Sequence, residues 1–592
     1  MPESMSTRPS ASRAARALGL LLIGTTAGVA ATARGDEARD RRPVALALSG
    51  DGAWLYAANA RGGSLSVVSL ATGKVTAEIE VGRGLSGLAI LPDGRRLLAV
   101  DRAGDALIAL EIRGGGEVAI GARVAVAADP VSVLVAPDGT SCVVASTRAR
   151  RLTVVSIPAD PGVAPTIARV VDLPFSPRNL AWARPGSALV VADAFGGRIA
   201  VVDPSKGVVE SVRTLPGHNI RGLALAPDGR TLVVAHQSLN PLADSSFEDV
   251  HWGTLLRNHL RVLRVDALLD PRPAADIYRG GRVIDLGMTG NAAGDPGAIG
   301  FDGQGRLAVV LGGVDEVALG PEHGRGLRRV GVGHKPSAVL ASPDGKRVYA
   351  ADELDDAISV LDVEAGKRVA TIGLGQRPEP GPVARGERLF FDARLSHDGW
   401  MSCQSCHTDG QSNGLLADTL GDGAYGAPKR VTSLLDVGAT GPWTWLGTVD
   451  RLEDQVRKSI ETTMRGRPPT DGQVADLTAY LRSLKSPPPE LPADPDAAAS
   501  RGREVFASRD CARCHAGPEF TSAGRHDVGL VDEAGNRKFN PPSLRGAGRR
   551  RPLLHDGRAA SLEDLFQIHR HPRHAEWAPG ELADLIAYLK TL

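Results

Sequence analysis

Cysteine occurs only five times in 592 residues, too few for a disulfide-stapled scaffold. Aromatic residues make up 4% of the chain, so little core area comes from them. Neither charge is in excess: 69 Lys plus Arg stand against 68 Asp plus Glu. That balance excludes the basic face of a nucleic-acid binder, and no nucleic-acid partner is expected. Past residue 30 no apolar run approaches membrane length, so no stable span is expected once the N-terminus is removed. What is abundant is Gly and Pro, 70 and 40 residues, the usage of a turn-rich β protein. At this length one core does not suffice, and several domains are expected.

Residues 1–33 have the layout of a signal peptide: basic Arg8, Arg13 and Arg16, an apolar stretch over 17–30, and small-x-small Ala31-Thr32-Ala33. The expected location is the periplasm or another exported compartment.

Four of the five cysteines fall in two C-x-x-C-H units, Cys403-Gln404-Ser405-Cys406-His407 and Cys511-Ala512-Arg513-Cys514-His515. This is the spacing of covalent c-type haem attachment. Each thiol forms a thioether with the porphyrin, and the adjacent histidine becomes the proximal iron ligand. Two covalently bound haem c groups are expected, with His407 and His515 on iron. Cys142 alternates with apolar residues in "TSCVVAS" and is expected in a core strand.

Over 43–375 one pattern recurs seven times: an apolar alternating run, a turn, and a second run. The turns lie near Asp51, Asp93, Asp138, Gly186, Asp228, Gln304 and Asp344; five of the six spacings are 40 to 48 residues and one is 76. Asp-Gly between β runs is the two-residue hairpin signal. Strand-turn-strand units of this length build propeller blades. The pattern predicts an all-β seven-bladed propeller, similar to the YVTN type. The long spacing is an insertion over 237–281, placed after blade five, whose His251, Trp252 and His259 are candidates to meet a cofactor edge or a partner. No histidine cluster of metal-ligand type runs across the blades.

The C-terminal part is a duplication, read as two mainly α c-type cytochrome domains over 384–484 and 498–592. "ARGERLFF" parallels "SRGREVFA", each C-x-x-C-H follows, and "VADLTAYLRSL" parallels "LADLIAYLKTL". The closing segments carry apolar residues at i, i+3, i+4 and i+7, which predicts amphipathic helices.

The residues "GERLFFDARLSHDGWMSCQSCH" and "HDGRAASLEDLF", with paired C-x-x-C-H domains, resemble the bacterial di-haem cytochrome c peroxidase and MauG superfamily. The resemblance implies an oxidoreductase in which peroxide reacts at one haem while the other delivers or stores electrons. It implies a bridging tryptophan, matched by Trp445, and a structural His555. It puts a distal ligand of the second haem at His569, with His571 and His574 as rivals. It aligns Met464 with a family methionine and Glu461, at imperfect spacing, with a catalytic glutamate. It also allows a calcium ion between the haem domains. The chain departs from the peroxidase pattern in having no histidine over 408–431. The first iron is therefore either five-coordinate or bound by Met464.

Two functions follow. One is a peroxidase/MauG-like oxidoreductase, supplied by a small redox protein or a quinone-linked donor or acceptor, with hydrogen peroxide as co-substrate and the propeller docking a partner. The other is a non-catalytic di-haem electron carrier on a propeller platform.

Overall fold

The computed structural model describes residues 38–321, 324, 326–488, 497–573 and 576–592. The signal-peptide reading and His574 lie outside the described residues. Seven four-stranded antiparallel sheets follow one another over 43–80, 85–125, 130–172, 177–214, 218–285, 296–331 and 336–373. The first strand of each sheet packs on the first strand of the next, and the seventh returns to the first, closing the ring. The second and third strands, such as Trp54–Asn59 and Ser64–Ser69, are buried on both faces, while outer strands such as Lys74–Glu80 alternate. The ring is pinned where its ends meet: the Arg41 and Arg42 backbone N–H groups donate to the two Asp356 carboxylate oxygens at 3.0 and 2.8 Å.

The Asp-Gly turns differ from the two-residue hairpin expected. Each is a longer loop in which the Asp oxygen accepts the backbone N–H two residues on, as Asp93 does from Arg95 (2.8 Å) and Asp344 from Lys346 (3.0 Å). The glycine that follows takes positive φ, 67° at both Gly94 and Gly345, which is why that position repeats as Gly. Cys142 is fully buried in the strand Ser141–Ser146, and burial pushes its thiol up to about 12.

The insertion lies within blade five rather than after it. Thr231–Leu239 and Leu256–Arg264 pair over nine residues as that blade's second and third strands. The connection between them carries the short helix Phe247–His251, and a second extension precedes the outer strand Arg282–Asp285.

The C-terminal duplication is visible in matched contacts. Helix Pro382–Phe390 packs on Asp471–Ser483, and helix Ala497–Ser508 on Glu581–Lys590. Arg385 pairs with Asp476 (2.7 Å) as Arg501 does with Asp584 (2.7 Å). The adjacent glycines, Gly386 and Gly502, each bring their helix against the partner helix's backbone. A Cβ on either would lie 1.9 Å from the carbonyl oxygen of Asp476 or Asp584. The first cytochrome domain shares one core with the blade-five insertion: Val250, Leu255 and Leu256 pack with Phe390, Trp400, Met401 and Met464. Among the described residues no helix is long and apolar enough to cross a membrane.

Candidate functional site

Ser402 opens the short helix Cys403–Cys406 through a capping box with Ser405, and this turn sits in the mouth of the propeller. Asp295, from the blade-six approach, accepts hydrogen bonds from both the Ser402 and Ser405 hydroxyls. His218 Nε2–H donates to the Ser405 carbonyl at 2.9 Å, and Asn219 Nδ2 donates to the same oxygen at 3.0 Å. Two residues past His407, Asp409 meets Arg178 (2.8 Å) and Arg221 (2.9 Å). Burial opposes its charge, but Arg178, Arg221 and Arg102 overcome that and hold its carboxyl well below the usual range. Burial brings His218 down to about 4 and raises Asp295, whose hydroxyl donors offset only part of the shift. The first C-x-x-C-H is thus seated by propeller side chains, and among the described residues no such set of propeller hydrogen bonds and ion pairs reaches the second.

Behind that turn lies a cavity of about 1520 Å³ including its open mouth, lined by Cys403, Cys406, His407, Met464, Trp443 and Trp445 among others. The His407 Nδ1–H donates to the Thr432 carbonyl at 2.9 Å, which leaves Nε2 for a metal. Burial lowers the His407 pKa and keeps the imidazole neutral. Paired thiols, a neutral imidazole with one nitrogen committed, and a mostly apolar wall fit a covalently bound haem. In the second domain His515 repeats the arrangement, its Nδ1–H donating to the Phe520 carbonyl at 3.1 Å.

Glu461 does not reach the cavity: it is exposed and absent from the lining. Its segment, Ser459–Thr463, is a wide π-helical turn that presents Ser459, Ile460 and Thr463 to the cavity and turns Glu461 outward. Two carboxylates do line the wall, Asp422, which is paired with Lys429 (3.0 Å), and Asp418, which the sequence reading did not single out. Asp418 is 5% exposed, its Oδ2 accepts the Gly426 N–H at 2.6 Å, and its Oδ1 is buried without a partner. Gln455 lines the same cavity with its Oε1 likewise unpartnered. No local motif marks Asp418; it is placed by the insertion, whose Ser245 N–H donates to its carbonyl at 2.9 Å. Met464 is 4% exposed and lines the cavity, and His407 is the only histidine of the lining among the described residues.

In the second domain the resemblance puts the distal ligand at His569, with His571 among its rivals, and the two histidines are placed differently. Helix Leu562–Gln567 ends two residues before His569, and Arg570 turns the chain with φ 47°. His569 is left pointing at the backbone, its Nε2 3.1 Å from the Arg558 carbonyl. His571 is swung inward, its ring centroid 6.5 Å from that of His515 at an interplanar angle of 73°. That separation leaves room for one metal ion between the two rings, with imidazole nitrogens bonding at about 2 Å. Burial and the neighbouring His515 bring His571 down to about 4, so it too is neutral.

Trp445 stands between the two domains. Its ring lines the first cavity, its Nε1–H donates to the Arg430 carbonyl at 2.8 Å, and its carbonyl accepts the Asn540 N–H at 2.8 Å. The His555 ring lies 6.4 Å from it and stacks on Phe539 at 4.4 Å. The same junction holds the Lys429 ammonium between Asp422 (3.0 Å) and Asp532 (3.1 Å), one from each domain. Of the insertion residues, His259 faces Asp285 (2.9 Å) and not the haem cavity, and Trp252 is exposed with its Nε1–H donating to Glu248. His251 meets His397.

Residues 381–487 match the family of di-haem cytochrome c peroxidases. The chain is 29% identical over 279 residues to the methylamine utilization protein MauG of Methylorubrum extorquens, covering 36% of this chain and 78% of that protein. It is 24% identical over 304 residues to the cytochrome c551 peroxidase of Nitrosomonas europaea, covering 40% and 90%. Hydrazine synthase of Kuenenia stuttgartiensis aligns in structure with a TM-score of 0.47 at 22% identity, over 57% of this chain and 99% of that one. The chain thus joins a seven-bladed propeller to a C-terminal region similar to di-haem cytochrome c peroxidases and MauG proteins, which are oxidoreductases.

Proposed function

We propose that this chain is an exported, periplasmic oxidoreductase in which peroxide is reduced at the first cavity and electrons reach it from the second domain by way of Trp445. The observation that carries the reading is the position of Trp445, which forms part of the first cavity's wall and faces the His555–Phe539 stack of the second domain. Haem held by Cys403, Cys406 and His407, and by Cys511, Cys514 and His515, supplies one-electron iron chemistry. The chain's own part is to position and to move protons. Thr432 fixes the His407 tautomer, and the apolar wall of Val456, Ile460, Leu477 and Leu481 keeps bulk water out. Asp418, in place of Glu461, holds the proton that peroxide cleavage needs, its unpartnered Oδ1 being the site. With a haem bound at Cys511, Cys514 and His515, His571 would be the nearby imidazole available to the iron, and an imidazole there would hold a lower potential than a methionine.

The propeller acts as a socket for the first C-x-x-C-H, and a small redox protein or quinone-linked donor supplies electrons from outside. At the domain junction Lys429 provides the positive charge that the resemblance assigns to calcium.

One observation favours the electron-carrier reading. Met464 is buried on the cavity wall, where a thioether on iron would close the first site. An EPR spectrum of the oxidised protein separates the two. A high-spin ferric component that responds to cyanide, with peroxide turnover, is expected. Two low-spin haems indifferent to peroxide and cyanide would overturn the peroxidase reading and leave a carrier.

A further inference from the structure

The turn that precedes the first C-x-x-C-H has a second feature, outside the haem cavity. His397 and Asp398, of "LSHDGW", face His251 at the end of the insertion helix Phe247–His251, 146 residues away in sequence. His251 Nδ1 and His397 Nε2 are 2.9 Å apart; Asp398 Oδ2 is 3.2 Å from the first and 3.4 Å from the second. Three ligand atoms at the corners of a tetrahedral face, each about 2.05 Å from a central ion, would lie about 3.3 Å apart. The three protein atoms form that triangle.

A hydrogen-bond account leaves a remainder. Two imidazoles share one proton between the facing nitrogens, and Asp398 Oδ2 stays buried with no hydrogen-bond partner. Asp398 itself sits at φ 60°, in the left-handed region that Asp and Asn adopt more readily than other side-chain-bearing residues. A single cation between the three atoms satisfies all of them. The surroundings are ordered for such a role. Phe247 stacks on the His251 ring at 5.4 Å and 11°, Trp400 Nε1–H donates to the His251 carbonyl at 3.3 Å, and the His397 N–H donates to the Met464 carbonyl at 2.9 Å. The site is thus tied to the haem cavity wall through one residue. The three side chains are 27%, 28% and 15% exposed, so an ion can enter from solvent.

We propose that His251, His397 and Asp398 form a binding site for a divalent transition-metal ion at the seam between the propeller insertion and the first cytochrome domain. Two imidazoles and one carboxylate select Zn²⁺ or Cu²⁺ over Ca²⁺ or Mg²⁺, which take oxygen ligands. With three protein ligands, the fourth position stays open toward solvent, as in reactive rather than structural sites.

The test uses the tag-free, haem-loaded full chain, stripped with chelator and equilibrated by dialysis against Zn²⁺, with zinc and iron measured together by elemental analysis. One Zn²⁺ per two haem irons is expected. Zinc affinity should fall at least tenfold in His251→Gln and in Asp398→Asn, with two haems per chain retained by pyridine haemochrome. Asn tolerates positive φ, so the Asp398 variant carries the comparison if the His251 variant does not accumulate. Wild-type protein with no zinc above background, or zinc binding unchanged in both variants, would overturn the proposal.

Discussion

The two cytochrome domains were built from one scaffold and then given different surroundings. Their helix pairs cross at the same glycine, with the same arginine–aspartate pair beside it. Around the attachment motifs the likeness ends. The first C-x-x-C-H is seated by Asp295, His218, Asn219, Arg178 and Arg221 of the propeller. Its histidine shares a cavity with Met464 and with polar groups of Asp418 and Gln455 that lack partners. Among the described residues the second has no such socket, and a second imidazole, that of His571, lies near its histidine. A duplicated fold thus keeps its backbone crossing while reactivity is set by what stands across from the histidine and by what holds the loop from outside.

If that contrast is right, its largest signature is all-or-none. His571→Ala should convert the second haem from low-spin to high-spin in the EPR spectrum, while His569→Ala leaves it low-spin. A low-spin second haem in the His571 variant would return the ligand role to another residue. Next in size is the first cavity. Asp418→Asn should lower peroxide turnover on the order of 10²- to 10⁴-fold, the contribution of a positioned acid–base group. Glu461→Gln should leave turnover near wild type. The reverse order, read from steady-state rates, would break the assignment of the proton to Asp418.

These two residues also mark how far the sequence alone reaches. The sites suited to haem were legible because C-x-x-C-H is a contiguous signal, and the structure sets each beside a histidine whose Nδ1 is already hydrogen-bonded. The blades were legible because strand periodicity and Asp-Gly punctuation repeat. The distal side was not. His569 was placed by resemblance alone, and the chain leaves the helix at Gln567 before it reaches that position. The imidazole that faces His515 comes from the turn beyond. Glu461 had the right chemistry, but the π-helical turn rotates it outward. Asp418 sits in no motif, because its position is set by Ser245 of a blade 173 residues away. The insertion's bounds were misplaced for a related reason: its third strand looks like added sequence until it pairs with Thr231–Leu239. Long-range contacts decide these positions, and periodicity carries no information about them.

The socket gives the third prediction, about 3 kcal/mol. Asp409→Asn leaves the Arg178 and Arg221 guanidinium groups facing each other with no carboxylate between them. Removing one member of a buried pair costs roughly 3 to 5 kcal/mol, and the lower end applies because the Asp409 side chain is 26% exposed. The first domain should loosen from the propeller, seen as earlier proteolysis within 376–383, while the second domain's core is unaffected. Acid acts in the same direction. His218 and Asp409 both have folded pKa values depressed below their unfolded ones, so each contributes stability above its unfolded value that is lost as pH falls. For His218 that window runs from 6.5 down to about 4. Docking measured by hydrogen exchange in 402–409 should weaken across it. Protection that rises on acidification would contradict the socket.

The smallest effect tests the shared scaffold itself. Gly386→Ala and Gly502→Ala each place a methyl 1.9 Å from a backbone carbonyl oxygen, where no side-chain rotation relieves the overlap. Both glycines lie inside helices, so alanine recovers about 1 kcal/mol of helix propensity in each. The helices must nonetheless separate, and overpacking of this kind costs typically 1 to 3 kcal/mol. The two variants should therefore destabilise their own domains by similar amounts, measured as separate transitions by calorimetry. The backbone crossing is the same in both copies; the propeller also grips the first pair, where Arg42 and Arg61 meet Glu387 and Asp355 meets Arg388, but those ion pairs lie on side chains and do not relieve an overlap between helix backbones. A Gly386 variant much milder than the Gly502 variant would mean that the socket also supports the helix crossing, and the division between common scaffold and acquired surroundings would have to be redrawn.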